Sequence, residues 1–413
     1  MKLTTACQVL LSLVATVWAR NTRLTEIFAW NEVDYAYSSP EARQEAKLKE
    51  LFIPANNLPL GLDVAGDRLF VTVPRWKSGV PSTLNFIKLD NETLKNKSPP
   101  LIPYPNWESN SIPKDGVYNL SSVIISTFRV RADACKRLWV MDTGMSDLLC
   151  GIKKYSKPKI MVYDLTTDTL IRTYFLKDDD VTPDSFFANI VVDVSKENCE
   201  NAYAYLPDFG SSSLVVYSWK QGDSWRVTHH FFHFDPLEGS YRISGIDFQW
   251  TDGIFGVSLS PVQADGYRTL YFHPLSSTRE FSVSTKIVQD KNIASNSFSK
   301  YMLVGCRGIK GQSGASFIHE KTGVMFYTQP NKNAVGCWNI KKDFEENQDI
   351  VAEDEETLVF VNDLKVCNND NLWVLSDKLP TFLYRKINPE EVNYRILMAP
   401  VTAAINGTKC DVV

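Results

Sequence analysis

The feature that most constrains the fold is a pair of short apolar strands that recurs six times along the chain. Each pair consists of two β-branched or aromatic runs joined by a turn, and the pairs follow one another about every 50 to 70 residues. A blade of this kind cannot bury both of its faces alone, so it packs against its neighbours around a ring. The first strands lie at 61–64, 128–130, 189–192, 245–248, 315–318 and 363–366, and the second strands at 68–71, 137–140, 202–205, 254–257, 324–327 and 371–374.

A third strand follows most of these pairs, most clearly at 159–164, 214–217 and 334–338. Two β-sandwiches would also show short strands separated by turns, but they would not need the same three-strand unit six times. Residues 41–48 are predicted to form a helix before the first blade, and the acidic segment 342–356 an exposed loop between blades. We therefore expect an all-β fold, a six-bladed β-propeller that occupies residues 20–413 as one domain.

Residues 1–19 have the pattern of a secretory signal peptide. Lys2 precedes the apolar run 9–15, and the segment 17–19 ends in small residues at the two positions that signal peptidase recognises. The alternative is a buried N-terminal strand. The apolar run is too short to span a bilayer, and no later stretch is apolar enough for a membrane helix. We therefore expect a secreted, extracellular protein without a membrane span.

The net charge and the cysteine content indicate which binding partners, disulfides, metals and cofactors can be expected. The net charge of −4 lacks the basic footprint of a nucleic-acid-binding protein. Seven of the 8 cysteines follow the predicted signal peptide, and a secreted chain is expected to pair them. The odd number leaves at least one free or bonded to another chain. No cysteine spacing matches a zinc site, and no nucleotide-binding motif is present, so neither a metal nor a cofactor is expected. Four sequons predict glycosylation at Asn91, Asn96, Asn119 and Asn406.

Polar residues at the ends of the predicted strands indicate a ligand site. In a propeller, the starts of the first strands and the loops after the second strands meet on one face around the axial channel. A mixture of carboxylates, amides and one guanidinium there would orient a polar aromatic ligand, and crowded carboxylates would have raised pKa values suited to proton transfer. The alternative is that the aspartates only cap turns. The candidates are Arg75, Asp142, Asn189, Asp208, Gln329, Asn362, Asp363 and Asp377.

The five histidines do not predict a metal site. His229 and His233 would share one face of a strand, but they are too far apart to bind one ion. A solvated strand edge is the preferred interpretation of this segment, which also contains His230. His273 and His319 are either satisfied structural histidines or proton carriers.

Several longer segments resemble one known family. They are Ile53-Pro54-Ala55-Asn56-Asn57-Leu58-Pro59, Cys135-Lys136-Arg137-Leu138-Trp139-Val140-Met141-Asp142-Thr143-Gly144, Phe248-Gln249-Trp250-Thr251-Asp252-Gly253-Ile254-Phe255-Gly256 and Asp265-Gly266-Tyr267-Arg268-Thr269-Leu270-Tyr271-Phe272. From about Trp30 to Cys410 the chain resembles the insect Yellow and major royal jelly proteins. That resemblance implies a six-bladed propeller, secretion and a role in cuticle pigmentation or melanisation. It determines the fold better than the chemistry, because members of this family differ in activity.

Two functions are consistent with this resemblance. The first is binding of a small aromatic amine or catechol-derived ligand in the channel, held by ring stacking and one carboxylate. The second is conversion of dopachrome, for which an acid and a base in a dry pocket would suffice without a cofactor. Binding is preferred, since no catalytic signature can be named. A third propeller chemistry, that of calcium-dependent lactonases, would use oxygen ligands such as Asn189 and Asp363, but the motifs do not match that family.

The repeat also predicts disulfides. Cys135 and Cys199 occupy the same turn in neighbouring blades, and the family resemblance suggests the same pairing. Cys337 lies on a strand of the fifth module and Cys410 in the tail after the sixth, so a bond between them would close the ring. Three cysteines then remain, namely Cys150, Cys306 and Cys367.

Overall fold

The protein is a ring of six four-stranded antiparallel sheets, which confirms the predicted all-β six-bladed β-propeller. The computed structural model describes residues 23–112, 119–367 and 369–412, so the predicted signal peptide lies outside the described residues. We number the blades 1 to 6 in chain order and count strands outward from the axis. The inner strand of blade 1 contacts the inner strands of blades 2 and 6, which closes the ring.

The strand bounds follow the repeat. Blade 1 contains Gly61–Ala65, Arg68–Thr72, Leu84–Lys88 and Ile102–Pro103; blade 2 contains Thr127–Ala132, Arg137–Asp142, Lys159–Asp164 and Thr169–Phe175; blade 3 contains Val191–Ser195, Asn198–Asp208, Ser213–Ser218 and Asp223–Thr228. Blade 4 contains Ile254–Leu259, Thr269–Pro274, Arg279–Ser284 and Met302–Cys306; blade 5 contains Ser316–His319, Val324–Gln329, Ala334–Asn339 and Gln348–Glu353.

Blade 6 joins the two ends of the chain. Its first three strands are Val361–Val366, Asn371–Ser376 and Tyr394–Pro400, and its outer strand is the N-terminal segment Thr25–Trp30. The antiparallel register places Trp30 opposite Tyr394 and Thr25 opposite Met398. This N-terminal segment is held by its ladder with Tyr394–Pro400 and by the buried rings of Phe28 and Trp30.

A few elements lie outside the blades. Two small hairpins are formed by Met145–Ser146 with Lys153–Lys154 and by Ser240–Ile243 with Ile246–Gln249. The helices are Pro40–Leu48, Thr285–Val288, Leu379–Tyr384 and Val401–Ile405, and single 3₁₀ turns lie at Pro54–Asn56, Thr93–Lys95, Glu108–Asn110, Asp178–Asp180, His230–Phe232, Phe298–Lys300 and Pro330–Lys332. The first helix agrees with the sequence prediction, and Ser39 caps it by accepting a hydrogen bond from the Ala42 amide. No helix among the described residues has the length and apolar character to cross a membrane.

The sequence assigned the strands of five modules correctly and shifted the fourth by one strand. Ile254–Leu259 is the inner strand of blade 4, not its second strand, and the second strand is Thr269–Pro274. The apolar segment 245–248 instead belongs to a hairpin in which Phe248 stacks on Tyr241 at 5.2 Å. The acidic segment 342–356 was expected to be an exposed loop. This prediction is wrong for Gln348–Glu353, which forms the outer strand of blade 5.

Both predicted disulfides are present. Cys135 is bonded to Cys199 and Cys337 to Cys410, with Cα atoms 5.9 and 6.1 Å apart. The first links blades 2 and 3, as the alignment of their turns required. The second ties the C-terminal tail to the third strand of blade 5. Cys150, Cys306 and Cys367 are unpaired within the described part of the chain.

Candidate ligand-binding site

An apolar cavity of about 230 Å³ lies at the centre of the face where the inner strands begin. All six blades contribute to its wall, through the starts of inner strands and through the loops after second strands. We call this cavity the aromatic pocket. Its principal side chains are Trp76, Phe128, Phe186, Phe209, Trp250, Phe255 and Phe360.

The aromatic side chains of this pocket form a connected wall. Trp76 lies 5.5 Å from Phe128, and Phe128 meets Phe186 edge-on at 4.9 Å. Phe186 then contacts Phe209 at 5.0 Å, and Phe209 contacts Phe255 at 5.6 Å. Edge-to-face contacts of this kind orient each ring against the next. The wall is therefore a set of fixed ring faces and edges on which a planar ligand can stack.

One carboxylate lies among these apolar side chains, that of Asp252. Burial raises the pKa of Asp252 from its ordinary value of 3.8 to about 6. Its carboxylate makes no hydrogen bond or ion pair with any described residue, although its backbone oxygen accepts a hydrogen bond from the Ser276 amide. A half-buried carboxylate without a partner is costly in an apolar wall, which marks Asp252 as a group that a ligand would satisfy.

The chain around Asp252 is held tightly in place. The amide of Gly253 donates to the Phe209 carbonyl at 3.2 Å, which ties the segment to blade 3. A side chain at Gly253 would come within 2.7 Å of the Phe232 carbonyl, so only glycine fits. Trp250 packs on Phe360 of the neighbouring wall with the ring centroids 5.8 Å apart. The position of Asp252 is therefore determined by backbone contacts and not by a flexible loop.

Arg129 closes the inner end of the aromatic pocket. It lies on the inner strand of blade 2, is almost completely buried, and stacks over Phe255 of blade 4 at 4.5 Å. Its guanidinium donates to Asn362 Oδ1 at 3.0 Å and lies 3.4 Å from the Asp363 carboxylate, both on blade 6. Because it contacts three alternate blades, Arg129 crosses the axis and separates the aromatic pocket from the other end of the channel.

Three of the predicted aspartates cap loops. Asp142 accepts hydrogen bonds from the amides of Ile125 and Ser126 and pairs with Lys159 at 2.7 Å. Asp208 accepts from the Phe186 amide and pairs with Arg226 at 2.9 Å, and Asp377 accepts from Asn362 and from the Leu379 amide. All three are completely buried. Each lies at or just after the end of a second strand, and each accepts a hydrogen bond from the segment before, or at the start of, the first strand of the same blade.

The remaining predicted residues divide between the two ends of the channel. Arg75 is buried, and its guanidinium donates only to backbone carbonyls, among them those of Val80 and Pro81; burial lowers its pKa to about 10. Gln329 is buried at the end of a second strand. Asn362 lines the aromatic pocket, whereas Asn189 lines a second cavity on the opposite side. The ligand contacts predicted for these residues from the sequence remain predictions. Of the predicted residues, Asn362 lines the aromatic pocket together with Asp252.

The axial carboxylate of Asp363 is neutralised by side chains of the protein. Lys365 Nζ lies 2.7 Å from Asp363 Oδ1, and Arg129 approaches the same oxygen. Asn189 is turned to the Phe255 carbonyl, to which it donates at 3.0 Å. Cationic side chains therefore occupy the positions around Asp363 that oxygen ligands would need, and no cluster of three metal-binding side chains exists within the described residues.

The histidines lie away from the aromatic pocket cavity. His273 is buried between Glu280 and the Gly314 carbonyl, at 2.8 and 2.9 Å. His319 bonds to Thr322 and Asp370. His229 stacks between His230 and Tyr301, and burial lowers its pKa to about 4. These three histidines therefore have structural explanations. The solvated strand edge expected for the segment 229–233 is wrong, because the strand ends at Thr228 and the buried His229 caps the 3₁₀ turn His230–Phe232.

Comparison with known proteins identifies the family. The model of the major royal jelly protein family matches residues 125–410, which includes the segment that carries Trp250 and Asp252. This chain belongs to that family. Protein yellow of Drosophila erecta is 41% identical over 405 residues, covering 97% of this chain and 73% of the relative, and Protein yellow of Drosophila melanogaster is 40% identical with the same coverage.

Solved structures show a more distant likeness to this member of the major royal jelly protein family. A Bacteroides thetaiotaomicron protein of unknown function covers 91% of this chain and 75% of its own, with a TM-score of 0.49 and 9% identity. Virginiamycin B lyase from Staphylococcus aureus covers 83% of this chain and 95% of its own, with a TM-score of 0.42 and 9% identity.

Asp252 was not among the residues singled out from the sequence as ligand contacts. The signal that could have found it is its place in the Trp250–Gly253 segment, which carries part of the family resemblance and directly precedes an inner strand. The sequence prediction took 245–248 and 254–257 as the first and second strands of the fourth blade. Asp252 was therefore expected in the turn between two strands and not beside the channel.

Proposed function

We propose that this protein binds a small aromatic amine in the aromatic pocket, with the ligand ammonium on Asp252 and the ligand ring against the aromatic wall. The observation that carries the proposal is a single unpartnered carboxylate among apolar and aromatic side chains. A cation near such a carboxylate, with ring faces beside it, is favoured both by charge and by cation–π attraction. Asn362 offers the one amide on the same wall.

Calorimetry with dopamine and serotonin tests this proposal. Asp252→Asn preserves the shape of the side chain and removes its charge, so we expect at least a tenfold loss of affinity for both amines. Asp247→Asn, on the exposed strand of the adjacent hairpin, is the matched control and should bind normally. Catechol, which lacks the ammonium, should bind weakly to the parent protein and equally to Asp252→Asn. Unchanged amine affinity in Asp252→Asn would reject the proposed role of the carboxylate.

A second candidate is conversion of dopachrome, favoured by the pKa of about 6 at Asp252. A carboxyl group with that pKa can both accept and donate a proton near neutral pH. Loss of the visible absorbance of dopachrome, compared with boiled protein and with Asp252→Asn, measures this activity. A rate in the parent that does not exceed the boiled control would leave binding as the function.

We further propose that the protein is secreted and acts in cuticle pigmentation or melanisation. The support is its family, its identity to the Yellow proteins, the predicted signal peptide and two disulfides, which persist in oxidising compartments. The four sequon asparagines are all exposed, as glycan attachment requires: Asn91, Asn96, Asn119 and Asn406. Mass spectrometry of the secreted protein before and after glycosidase treatment tests both processing and glycosylation.

A further inference from the structure

A second cavity, of about 250 Å³, opens at the opposite end of the channel. We call it the basal cavity. Its walls are residues of the inner strands, including Val257, Ser258, Ser316 and Ile318, and the turns that follow these strands. Arg129 lies between this cavity and the aromatic pocket, so a ligand in one does not touch a ligand in the other.

The floor of the basal cavity carries more positive than negative charge. Arg131 pairs with Asp63 at 3.1 Å, but Lys365 and Arg129 share one carboxylate, that of Asp363. Lys365 and Arg129 therefore have one carboxylate between them, while the partly exposed Arg131 is matched by Asp63. Asp377, on the far side of Arg129, bonds to Asn362 and to the Leu379 amide and makes no ion pair among the described residues. A buried excess charge is unfavourable unless a counter-ion meets it.

The acidic side chains that line the rim of the basal cavity are all paired. Each holds a cation within 2.7 Å, although Arg268 also pairs with Asp193 at 3.0 Å. These carboxylates therefore do not require a cationic ligand. These pairs are Asp133 with Arg137, Glu320 with Arg268, and Asp370 with Lys321.

Hydrogen-bond donors on the walls are also unused. The hydroxyls of Ser258 and Ser316 have no partner among the described residues, although both side chains are more than nine-tenths buried. The ammonium of Lys365 has three N–H groups and makes one hydrogen bond, to Asp363. Buried donors without partners are rare in folded proteins, and a ligand that accepts their hydrogen bonds would satisfy them.

We propose that the basal cavity binds a small organic carboxylate, whose carboxylate group accepts hydrogen bonds from Lys365, Ser258 and Ser316. The apolar part of the ligand packs against Val257 and Ile318. A carboxylate supplies the missing negative charge and acceptors for all three donors, which a neutral or cationic ligand does not. This site is independent of amine binding in the aromatic pocket.

Benzoate and the neutral, similarly shaped benzamide are the probes, with calorimetry of the full secreted protein as the measurement. We expect benzoate to bind at least tenfold more tightly than benzamide. Lys365→Met keeps the length of the side chain and removes its charge, and it should lower benzoate affinity at least tenfold. Asp252→Asn, in the other cavity, should leave benzoate affinity unchanged.

A second variant tests the same prediction in case Lys365→Met does not fold. Replacing Ser258 and Ser316 together by alanine breaks no internal hydrogen bond, so the melting temperature should not fall, while benzoate affinity should fall several-fold. Equal affinity for benzoate and benzamide would overturn the proposal. So would parental benzoate affinity in a folded Lys365→Met or double serine variant, or loss of benzoate binding in Asp252→Asn.

Discussion

The Arg129 guanidinium on blade 2 donates a hydrogen bond across the propeller axis to Asn362 Oδ1 on blade 6, over 3.0 Å. The same side chain stacks on Phe255 of blade 4. One residue thus links three alternate blades and divides the channel into an apolar and a polar cavity. The two ends of the channel are chemically different because this residue separates them.

Arg129→Met should destabilise the protein by about 3–5 kcal/mol, the range for breaking a buried ion pair by removing one partner. The methionine keeps the stem that packs on Phe255 but leaves Asp363 with Lys365 alone. Equilibrium unfolding in urea measures the difference. Arg131→Met is the matched control: its side chain is partly exposed, so its cost should be clearly smaller. Equal costs for the two variants would contradict the role of Arg129 as the central link.

Asp252→Asn should increase stability at neutral pH while it weakens amine binding. The pKa of Asp252 rises from 3.8 to about 6 on folding, so the stability that this group contributes is full below about pH 4 and is lost as the pH rises through 6. The asparagine variant does not undergo this loss, and at pH 7.5 it should be more stable by up to about 3 kcal/mol. Urea unfolding at pH 4 and pH 7.5 measures the effect, and an equal difference between variant and parent at both pH values would contradict it.

Amine affinity should depend on pH with the same midpoint. Below pH 6 the Asp252 carboxyl is protonated and has no charge for the ligand ammonium, so affinity should fall about tenfold for each further pH unit. Dopamine titrations between pH 5 and 7.5 measure this. Catechol serves as the ligand control, since its affinity should stay constant over the same range.

Trp139 and Trp373 occupy equivalent positions on the second strands of blades 2 and 6, and both are buried. Alanine at either position should cost about 3–5 kcal/mol. Replacement by phenylalanine should destabilise the two positions to different extents. Trp139 donates to Asp133 at 2.8 Å, whereas the Trp373 N–H has no partner among the described residues. Trp139→Phe should therefore be the more destabilising by about 1–2 kcal/mol in thermal or urea unfolding, and the reverse order would contradict this assignment.

The Cys337–Cys410 bond should stabilise the closed ring. It spans 73 residues along the chain, for which the chain-entropy estimate is about 4 kcal/mol. Replacing both cysteines by serine should lower stability by up to that amount, measured by urea unfolding. The double variant of Cys135 and Cys199, whose bond spans 64 residues, should show a similar loss, and no loss in either would reject the entropic account.

The repeat, the fold class and both disulfides were predictable from the sequence. The strand pairs around Trp139 and Trp373 can be recognised because a buried blade strand needs continuous apolar and β-branched residues, whatever its neighbours are. Cys135 and Cys199 were paired because they lie in equivalent turns of adjacent blades and because the family resemblance suggests the same bond. Cys337 and Cys410 were paired because a bond between a blade and the C-terminal tail closes the ring. The segment 245–248 was assigned wrongly to a blade, because an apolar strand of a hairpin over the pocket has the same local sequence pattern as a strand in a blade.

Which polar side chains face a cavity depends on contacts between distant chain segments and could not be predicted from the sequence. Asp142, Asp208 and Asp377 have the residue type and position of ligand contacts, yet each is occupied by amides or cations from chain segments whose approach the local sequence does not encode. Asp252 has the sequence context of an ordinary turn residue and becomes distinctive only when aromatic side chains from several blades surround it. Strand formation depends on neighbours along the chain, whereas the burial and pairing of a charge depend on neighbours in space.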